Sequence, residues 1–592
     1  MSPPERPAAP AVEERASLLS APLRLLRRVP TRTLRRAGVI AAVLIVCGIW
    51  ISIDRQTPEW DQAHYLDVSL HYVSSLRAGG LGGLANKIWI ADPSHPPLFE
   101  VSLIVPFLLF GPTPTSALLV NLILWPVLLL SVADITARLY NERAALLAMA
   151  ITATMPLMVG LSHEVMEDFE LTAFVALTIA LLLRTRYFSS WRASLLLGLV
   201  MGVGAVSKAT FVMYVLGPVA VVVVRGAVLL YHEARHPETR GAGLTRLANA
   251  GVVLVISVGI AAAWYLSHLQ ATLAYIRSAT GGSLAVGTGP SNPLTLHNIG
   301  AFTLGAIDWD GTLLLAVIGV LALVLVLVPW LARRGRGDRS GLMHDMGRAA
   351  LLVAWIGPPY LFLISSQNQD VRLMAGAFPA VAILIAALVV AIPVRAVRWI
   401  GEAALCAAGA ILTLGMTWPF TIPLLPSQIA VPVRLGWVYY PISPPRSMGY
   451  ERVPQAVDYM VPVMNYLEAE SKTIQSPRPV VCVLETDPDI NWNTLSYLVD
   501  ENGDSYDVVE VHFYGSASRM QADLEACNMA LFVPSLAGGE GVRTIIANAG
   551  FAATHMNAAD FALFDVPVRS FPIDFGEQVQ VLVRQPGTES AP

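Results

Sequence analysis

Past residue 37 the chain is built from long apolar runs separated by short polar turns, and most of the runs are about as long as a bilayer is thick. The first, from about Gly38 to Ile53, follows Arg24, Arg27, Arg28, Arg32, Arg35 and Arg36. No small-residue cleavage site comes after it, so it is expected to be an uncleaved signal anchor with its basic end in the cytoplasm. Further runs lie near residues 114–137, 142–161, 169–185, 191–207, 210–230, 246–268, 311–332, 347–365, 372–394 and 399–420. The run from Leu98 to Gly111 is short for a crossing and reads as a re-entrant or interfacial segment. Charge supports that reading. With 98–111 folded back, the basic connections at Arg138 and Arg143, Arg184 to Arg192, Arg225 to Arg246, Arg333 to Arg348, and Arg395 and Arg398 all fall inside. The pattern predicts an α-helical polytopic membrane protein with about eleven spans.

On that topology the outer face gathers residues 54–97, 163–168, Ser207 with Lys208, about 270–310, and 366–372. After about Thr421 the pattern changes: prolines cluster up to Pro445, then short β-branched runs (480–485, 508–514, 529–533) alternate with helical stretches such as 516–526. The organisation expected is a disordered or basic cytoplasmic segment 1–37, a transmembrane domain 38–420 with a first outer loop 54–97, and an extracytoplasmic C-terminal α/β domain 421–592. SLAGGEG at 535–541 is a lone glycine-rich turn and weak evidence of phosphate binding.

Composition agrees with the pattern. The chain has 592 residues, 55 % hydrophobic and 14 % charged, and its mean hydropathy of +0.57 excludes an ordinary soluble protein. A net charge of -4 carries little information, because the placement of Lys and Arg matters more, and no nucleic-acid partner is expected. Cys47 and Cys406 fall in apolar runs and are expected to be small buried thiols. Cys482 and Cys527 are in position to pair if the C-terminal part faces an oxidising compartment.

Candidate chemistry lies in the outer segments. WDQAHY (60–65) opens a stretch in which Tyr65, Val68, Tyr72 and Leu76 recur at helical spacing, which predicts an amphipathic helix along the membrane surface. Asp61 stands at or near its start, where it would serve equally as a helix cap. HEVMEDFELTAF (163–174) crowds Glu164, Glu167, Asp168 and Glu170 at the head of an otherwise apolar helix. Carboxylates there suit the helix dipole, but four bordering hydrocarbon exceed what capping needs. SHPPLF (94–99) sets His95 beside two prolines that end the loop. Lys208, in AVSKAT, and Arg372, in SSQNQDVRLM, are cations at outer turns: Lys208 would snorkel or hold a phosphate, and the Arg372 guanidinium suits bidentate phosphate contact. Carboxylates plus cations at one membrane face suit a lipid-linked phosphate substrate.

WDQAHY, HPPLF about thirty residues later, Asp168 with Leu171 and Phe174, the Ser207–Lys208 turn, and the arginine before LMAGAFPAVAIL together resemble the polyprenyl-phosphate-dependent glycosyltransferases of the GT-C fold. The likeness is to protein O-mannosyltransferases and to the aminoarabinose transferases that modify lipid A, and it spans roughly residues 38–400. The resemblance implies an inverting, single-displacement sugar transfer from a polyprenyl-phosphate donor to a glycan, lipid or protein acceptor at the outer face. It implies Asp61 as general base and Asp168 as a second catalytic carboxylate. His95, Lys208 and Arg372 would contact the donor phosphate, and His64, Tyr65 and Glu167 would bind substrate. Gln62 stands where the family usually has Glu, which concentrates proton acceptance on Asp61. No cofactor is expected; a divalent metal would be compatible with such carboxylates, but the missing second acid argues against one.

Two other classes of protein would show different patterns. A transporter or flippase for an anionic or lipid-linked substrate would more often bury charges at mid-bilayer within repeated helix bundles, and no repeated half is evident. A noncatalytic anchor displaying its C-terminal domain would lose nothing on changing Asp61.

Overall fold

The protein is described by a computed structural model that covers residues 30–282, 290–307, 312–334, 339–417, 428–433, 436–441, 457–484, 490–511, 526–533, 569–573 and 578–583. The SLAGGEG turn, the helix expected at 516–526, Asp310 and the first two dozen residues lie outside the described residues.

The chain opens with α1 (Thr31–Ile53), α2 (Trp60–Ile90), α3 (Leu98–Phe110), α4 (Pro114–Leu139), α5 (Glu142–Thr154), α6 (Pro156–Ser162) and α7 (Glu167–Arg184). It continues through α8 (Trp191–Ala205), α9 (Phe211–Arg235), α10 (Arg240–Gly281), α11 (Leu296–Gly305), α12 (Leu313–Arg334) and α13 (Arg339–Ser365). A 3-10 turn, Val371–Ala377, leads into α14 (Phe378–Ala391), and α15 (Arg395–Thr417) closes the bundle. Seven helices among the described residues are long and apolar enough to cross a membrane, or eight if the pair α5 and α6 counts as one broken span. Each of the eleven runs expected to span falls on a helix, but α7 carries Glu167, Asp168 and Glu170 in its first turn, and α8 is only 15 residues long. Large apolar side chains such as Val224, Leu254, Val255, Leu266 and Val353 face outward, the arrangement of a bundle solvated by lipid.

Local chemistry explains the breaks. Thr113 and Ser116 form a capping box at α4, with Pro114 at the first helical position. Pro156 ends the hydrogen-bonded run of α5 and bends it by 58° into α6, so the expected span 142–161 is a broken one. Residues 54–97, expected as an outer loop containing a helix over about 61–76, are chiefly helix: α2 includes that stretch, runs on to occupy 31 residues and kinks at Gly80, whose φ of 60° only glycine adopts without strain. Before the kink α2 buries Tyr65, Leu66, Tyr72 and Val73; beyond it Leu81, Trp89 and Ile90 are exposed, as in a helix lying in an interface. Gly198 and Gly202, four apart on α8, let that helix close on α10. A Cβ at Gly202 would stand 2.7 Å from Ile260 Cβ.

Ion pairs hold one end of the bundle. Arg36 grips Glu142 (2.6 Å), Arg143 grips Glu402 (2.7 Å), and Asp134 accepts from Arg138 (2.8 Å) and Arg184 (2.9 Å). These belong to the connections expected at the cytoplasmic face. Cys47 is buried on α1, but Cys406 is exposed on α15, because that outermost helix turns it away from the bundle.

After α15 come a β1–β2 hairpin (Gln428–Val433, Gly436–Pro441), α16 (Met460–Ser471), β3 (Val480–Val483), α17 (Trp492–Asn502), β4 (Asp507–Glu510), β5 (Met529–Phe532), β6 (Arg569–Pro572) and β7 (Gln578–Val583). The strands from β3 on form one mixed sheet in the order β4-β3-β5-β7-β6. β3 runs parallel to β4 and β5, while β7 is antiparallel to β5 and β6. A disulfide joins Cys482 to Cys527 within this α/β part. Helix α17 packs on α2. Thr494 Oγ1 donates to the Pro58 carbonyl (3.0 Å), and Thr57 Oγ1 donates to Asp458 Oδ1 (2.6 Å).

Gly202→Leu is expected to lower stability by about 1–3 kcal/mol through overpacking against Ile260. Gly251→Leu, where a Cβ meets nothing within 4 Å, should leave the thermal midpoint in detergent nearly unchanged.

Candidate active site

Five separate stretches of chain meet at the end of the bundle away from the Arg36–Glu142 and Arg143–Glu402 pairs: the start of α2, the turn between α2 and α3, the turn into α7, the turn after α8, and the 3-10 turn. Backbone contacts register them. Gln62 Oε1 accepts from the Val165 N–H (3.0 Å), and the Leu98 N–H donates to the Val206 carbonyl (3.2 Å). Asn121 on α4 donates through Nδ2 to the carbonyls of Ser162 (3.1 Å) and Glu164 (3.0 Å), holding the acidic turn in place. Gln62 therefore has a structural task, and it makes this bond without adding another negative charge beside the neighbouring acids.

Asp61 does not cap α2. The N-cap position is Glu59, without a side-chain cap, and the Asp61 carboxylate instead accepts from Arg372 Nη2 at 2.8 Å. Burial pushes its pKa up, but the guanidinium beside it, with Lys208 and His64 nearby, outweighs that effect and holds Asp61 below the usual carboxylate range. Its side chain is still 45 % exposed, so it is both ionised and reachable. Arg372 is fixed from its other edge by Asp370, whose Oδ2 forms an ion pair with Nε at 3.0 Å and whose Oδ1 accepts from the Arg372 backbone N–H (3.0 Å).

Lys208 is paired rather than snorkelling. Its Nζ stands 2.7 Å from Asp168 Oδ1 and 3.0 Å from Glu167 Oε1, and both carboxylates are fully buried. Burial pushes the ammonium down, and the two carboxylates more than compensate, keeping it charged. Glu164 is buried in the same turn, where desolvation lifts it well above the usual range despite Arg372. Glu170, grouped with these acids by sequence, stands in the same first turn of α7 and is also buried.

His95 is held by Asp92 through one ring nitrogen. Its Nδ1 lies 2.7 Å from Asp92 Oδ2, and its ring packs edge-on against Tyr275 at 4.2 Å. His64, one turn beyond Asp61, reaches the same Asp92 oxygen through Nε2 (2.9 Å). Tyr65 is buried, edge-on to Phe99 at 5.3 Å, and so supports the wall of the site rather than its mouth. Sequence reasoning assigned no role to Asp92, Asp370 or Tyr275. The first two are legible in hindsight as Asx turns, Asp-Pro-Ser-His and Asn-Gln-Asp-Val-Arg; Tyr275 lies on a long helix without any local signal.

The strained start of α2 is held from outside. Trp60 has a φ of 32°, uncommon for a residue with a side chain, immediately after the Pro58 carbonyl that Thr494 of α17 engages. One turn beyond His64, Asp67 and His71 meet Asp500 of the same helix α17, with His71 Nε2 at 3.2 Å from Asp500 Oδ2. Burial and the neighbouring Asp500 carboxylate lift Asp67 to about 6, against the opposing pull of His71 and His64.

The architecture defines a polytopic membrane protein of the GT-C type with an appended mixed-sheet domain. Two crystal structures of ArnT from Cupriavidus metallidurans share the fold: the one bound to undecaprenyl phosphate is 12% identical with a TM-score of 0.50, covering 94% of this chain and 99% of that one. The apo form is 14% identical with a TM-score of 0.50, covering 94% and 98%. The Archaeoglobus fulgidus oligosaccharyltransferase in its apo form aligns at 11% identity and a TM-score of 0.48, over 85% of this chain and 70% of that one. The family described as dolichyl-phosphate-mannose-protein mannosyltransferase matches residues 94–263. No curated protein matches the sequence. The chain is thus similar to the polyprenyl-phosphate-dependent glycosyltransferases of the GT-C fold.

The raised Asp67 carries a pH dependence. Its proton is bound more tightly in the folded protein than in the unfolded one, so the stabilisation is complete below about pH 4 and is lost as pH rises through about 6. Relative to Asp67→Asn, the wild type should lose on the order of 1–3 kcal/mol between those limits. Thermal midpoints of both proteins across this range check it; parallel curves would show that Asp67 titrates normally.

Proposed function

We propose that this protein is an integral membrane glycosyltransferase that moves a sugar from a polyprenyl-phosphate donor to an acceptor hydroxyl at the extracytoplasmic face. The observation that carries the reading is the meeting of Asp61, Arg372, Lys208 and Asp168 at one end of an apolar bundle of this fold. The acceptor oxygen attacks the anomeric carbon, the bond from that carbon to the phosphate oxygen breaks on the opposite side, and the acceptor proton passes to Asp61. The product is the inverted glycoside, and polyprenyl phosphate departs with its charge met by Arg372 and Lys208. A lowered pKa keeps the Asp61 carboxylate ionised and ready as a base at neutral pH, and Arg372 positions it.

In this reading the donor phosphate competes for cations that already hold carboxylates. Arg372 would exchange part of its contact with Asp61 for phosphate oxygens, which frees the base as substrate arrives. Lys208 is charged and set in an apolar wall, so it can meet a phosphate at the end of a lipid tail lying in the bilayer. The Cys482–Cys527 disulfide supports an extracytoplasmic C-terminal domain, because such bonds persist in oxidising compartments. Sugar and acceptor are left to the assay.

Purified protein should release polyprenyl phosphate from a labelled polyprenyl-phosphate sugar. Asp61→Asn should slow turnover about 10²–10⁴-fold, the usual worth of a general base. Lys208→Met should weaken donor binding more than it slows the chemical step. Equal turnover by wild type and Asp61→Asn would remove Asp61 from the mechanism. Solute or lipid movement in vesicles without any transfer would point to a transporter instead.

A further inference from the structure

The two histidines that the transferase reading leaves without a settled task converge on one oxygen. His64 Nε2 lies 2.9 Å and His95 Nδ1 2.7 Å from Asp92 Oδ2, and the three ligand-capable atoms lie within 4.8 Å of one another. The other Asp92 oxygen is fully occupied: Oδ1 accepts from Ser94 Oγ (2.6 Å), from the Ser94 N–H (3.0 Å) and from the His95 N–H (3.3 Å). The carboxylate is thereby locked with a single oxygen facing both imidazoles. The rings themselves are tilted by 59° with centroids 6.0 Å apart, so they do not stack on each other but point toward a common place. All three side chains are partly covered, with exposures of 29%, 10% and 17% for His64, Asp92 and His95.

Two features distinguish this from an ordinary ion-pair triad. His64 stands near the start of the bent helix α2, while Asp92, 28 residues on and beyond the Gly80 kink, lies with His95 in the turn that follows the helix. The surrounding charge is also mostly acidic. Among the described residues Glu167 and Asp168 share Lys208, Asp61 and Asp370 share Arg372, and Asp92 pairs with the two imidazoles. An incoming phosphate would add further negative charge to a partly desolvated place, and that is costly unless another cation is present.

We infer that His64, Asp92 and His95 bind a divalent transition-metal ion, zinc by the character of its ligands, with a coordination position left open to a phosphate oxygen. Two imidazoles and a carboxylate at bond lengths of about 2.0–2.2 Å are a ligand set that zinc accepts, and three protein ligands leave a fourth place for water or an oxyanion. The hydrogen-bonded separations on the page widen to ligand separations by small side-chain rotations. Ser94 would act as the partner that orients the carboxylate. The expectation of no metal rested on Gln62 in place of a second acid, and this site uses neither that position nor Asp61. Its role toward a phosphate rests on the transferase reading; ion binding itself does not.

The test uses the full-length protein in detergent, stripped with chelator, reloaded with zinc and dialysed. Elemental analysis should find a single tightly held ion per chain. Its loss from the double variant His64→Ala/His95→Ala, with retention in His71→Ala, supports the assignment. Ser94→Ala should weaken zinc binding about 10–100-fold. No retained zinc in the wild type, or loss on His71→Ala alone, would overturn it, the latter by moving the ion to Asp67, His71 and Asp500. Should the double variant not fold, X-ray absorption at the metal in wild-type protein decides: fewer than two imidazole nitrogens rejects the site. Cobalt-loaded protein titrated with inorganic phosphate reads the open position. A changed visible spectrum supports it, and an unchanged one shows the coordination to be closed. None of these readouts involves sugar transfer, so failure here leaves the transferase reading standing.

Discussion

Pairing of buried charge is the constraint on which the rest of this structure depends. An ammonium or a carboxylate in the wall of an apolar bundle costs several kcal/mol unless an opposite charge meets it closely. Lys208 meets Asp168 and Glu167, and Arg372 meets Asp61 and Asp370. These pairs tie α7 to the turn after α8, and α2 to the 3-10 turn, so the same contacts that make the charges tolerable also assemble the site. On the proposed function such a site is poised, because an incoming phosphate would exchange with carboxylates that the cations already hold.

Helix α2 is the element through which the two halves of the molecule communicate. Its outer half carries Asp61 and His64 on the site and Asp67 and His71 against α17. The contacts of Thr494 with the Pro58 carbonyl and of Thr57 with Asp458 hold the backbone just before the strained Trp60. Strain persists only where surrounding structure over-determines it, and here the α/β domain supplies part of that determination. The appended domain thus bears directly on the position of the proposed base, whatever else it binds.

The two kinds of polar end in the bundle are built differently. At the basic end, Arg36, Arg143, Arg138 and Arg184 form exposed or half-exposed pairs with Glu142, Glu402 and Asp134, worth little individually but consistent with an interface facing water. At the other end most of the carboxylates are buried, and among the described residues they outnumber the permanent cations. That asymmetry is the physical basis for proposing chemistry at the start of α2 rather than among the arginines.

Much of this was legible in the chain. Apolar run length located the helices, because a bilayer demands about twenty apolar residues with all backbone groups paired internally, and charge located the two ends. Turn chemistry marked Asp61, His95, Asp168, Lys208 and Arg372 as candidates. Helical spacing marked a helix from 61 to 76, but the sequence alone could not show that it continues through a kink to residue 90, because small residues and glycines beyond Arg77 leave no strong amphipathic signature. Nor could it show who pairs with whom. WDQAHY suggested a cap for Asp61, while the folded chain gives Asp61 to Arg372, 311 residues away, and gives Gln62 to a backbone N–H. Local spacing determines which groups stand at the water's edge. Only packing of distant helices decides which charges neutralise one another, because that choice is made by distances that no stretch of sequence contains.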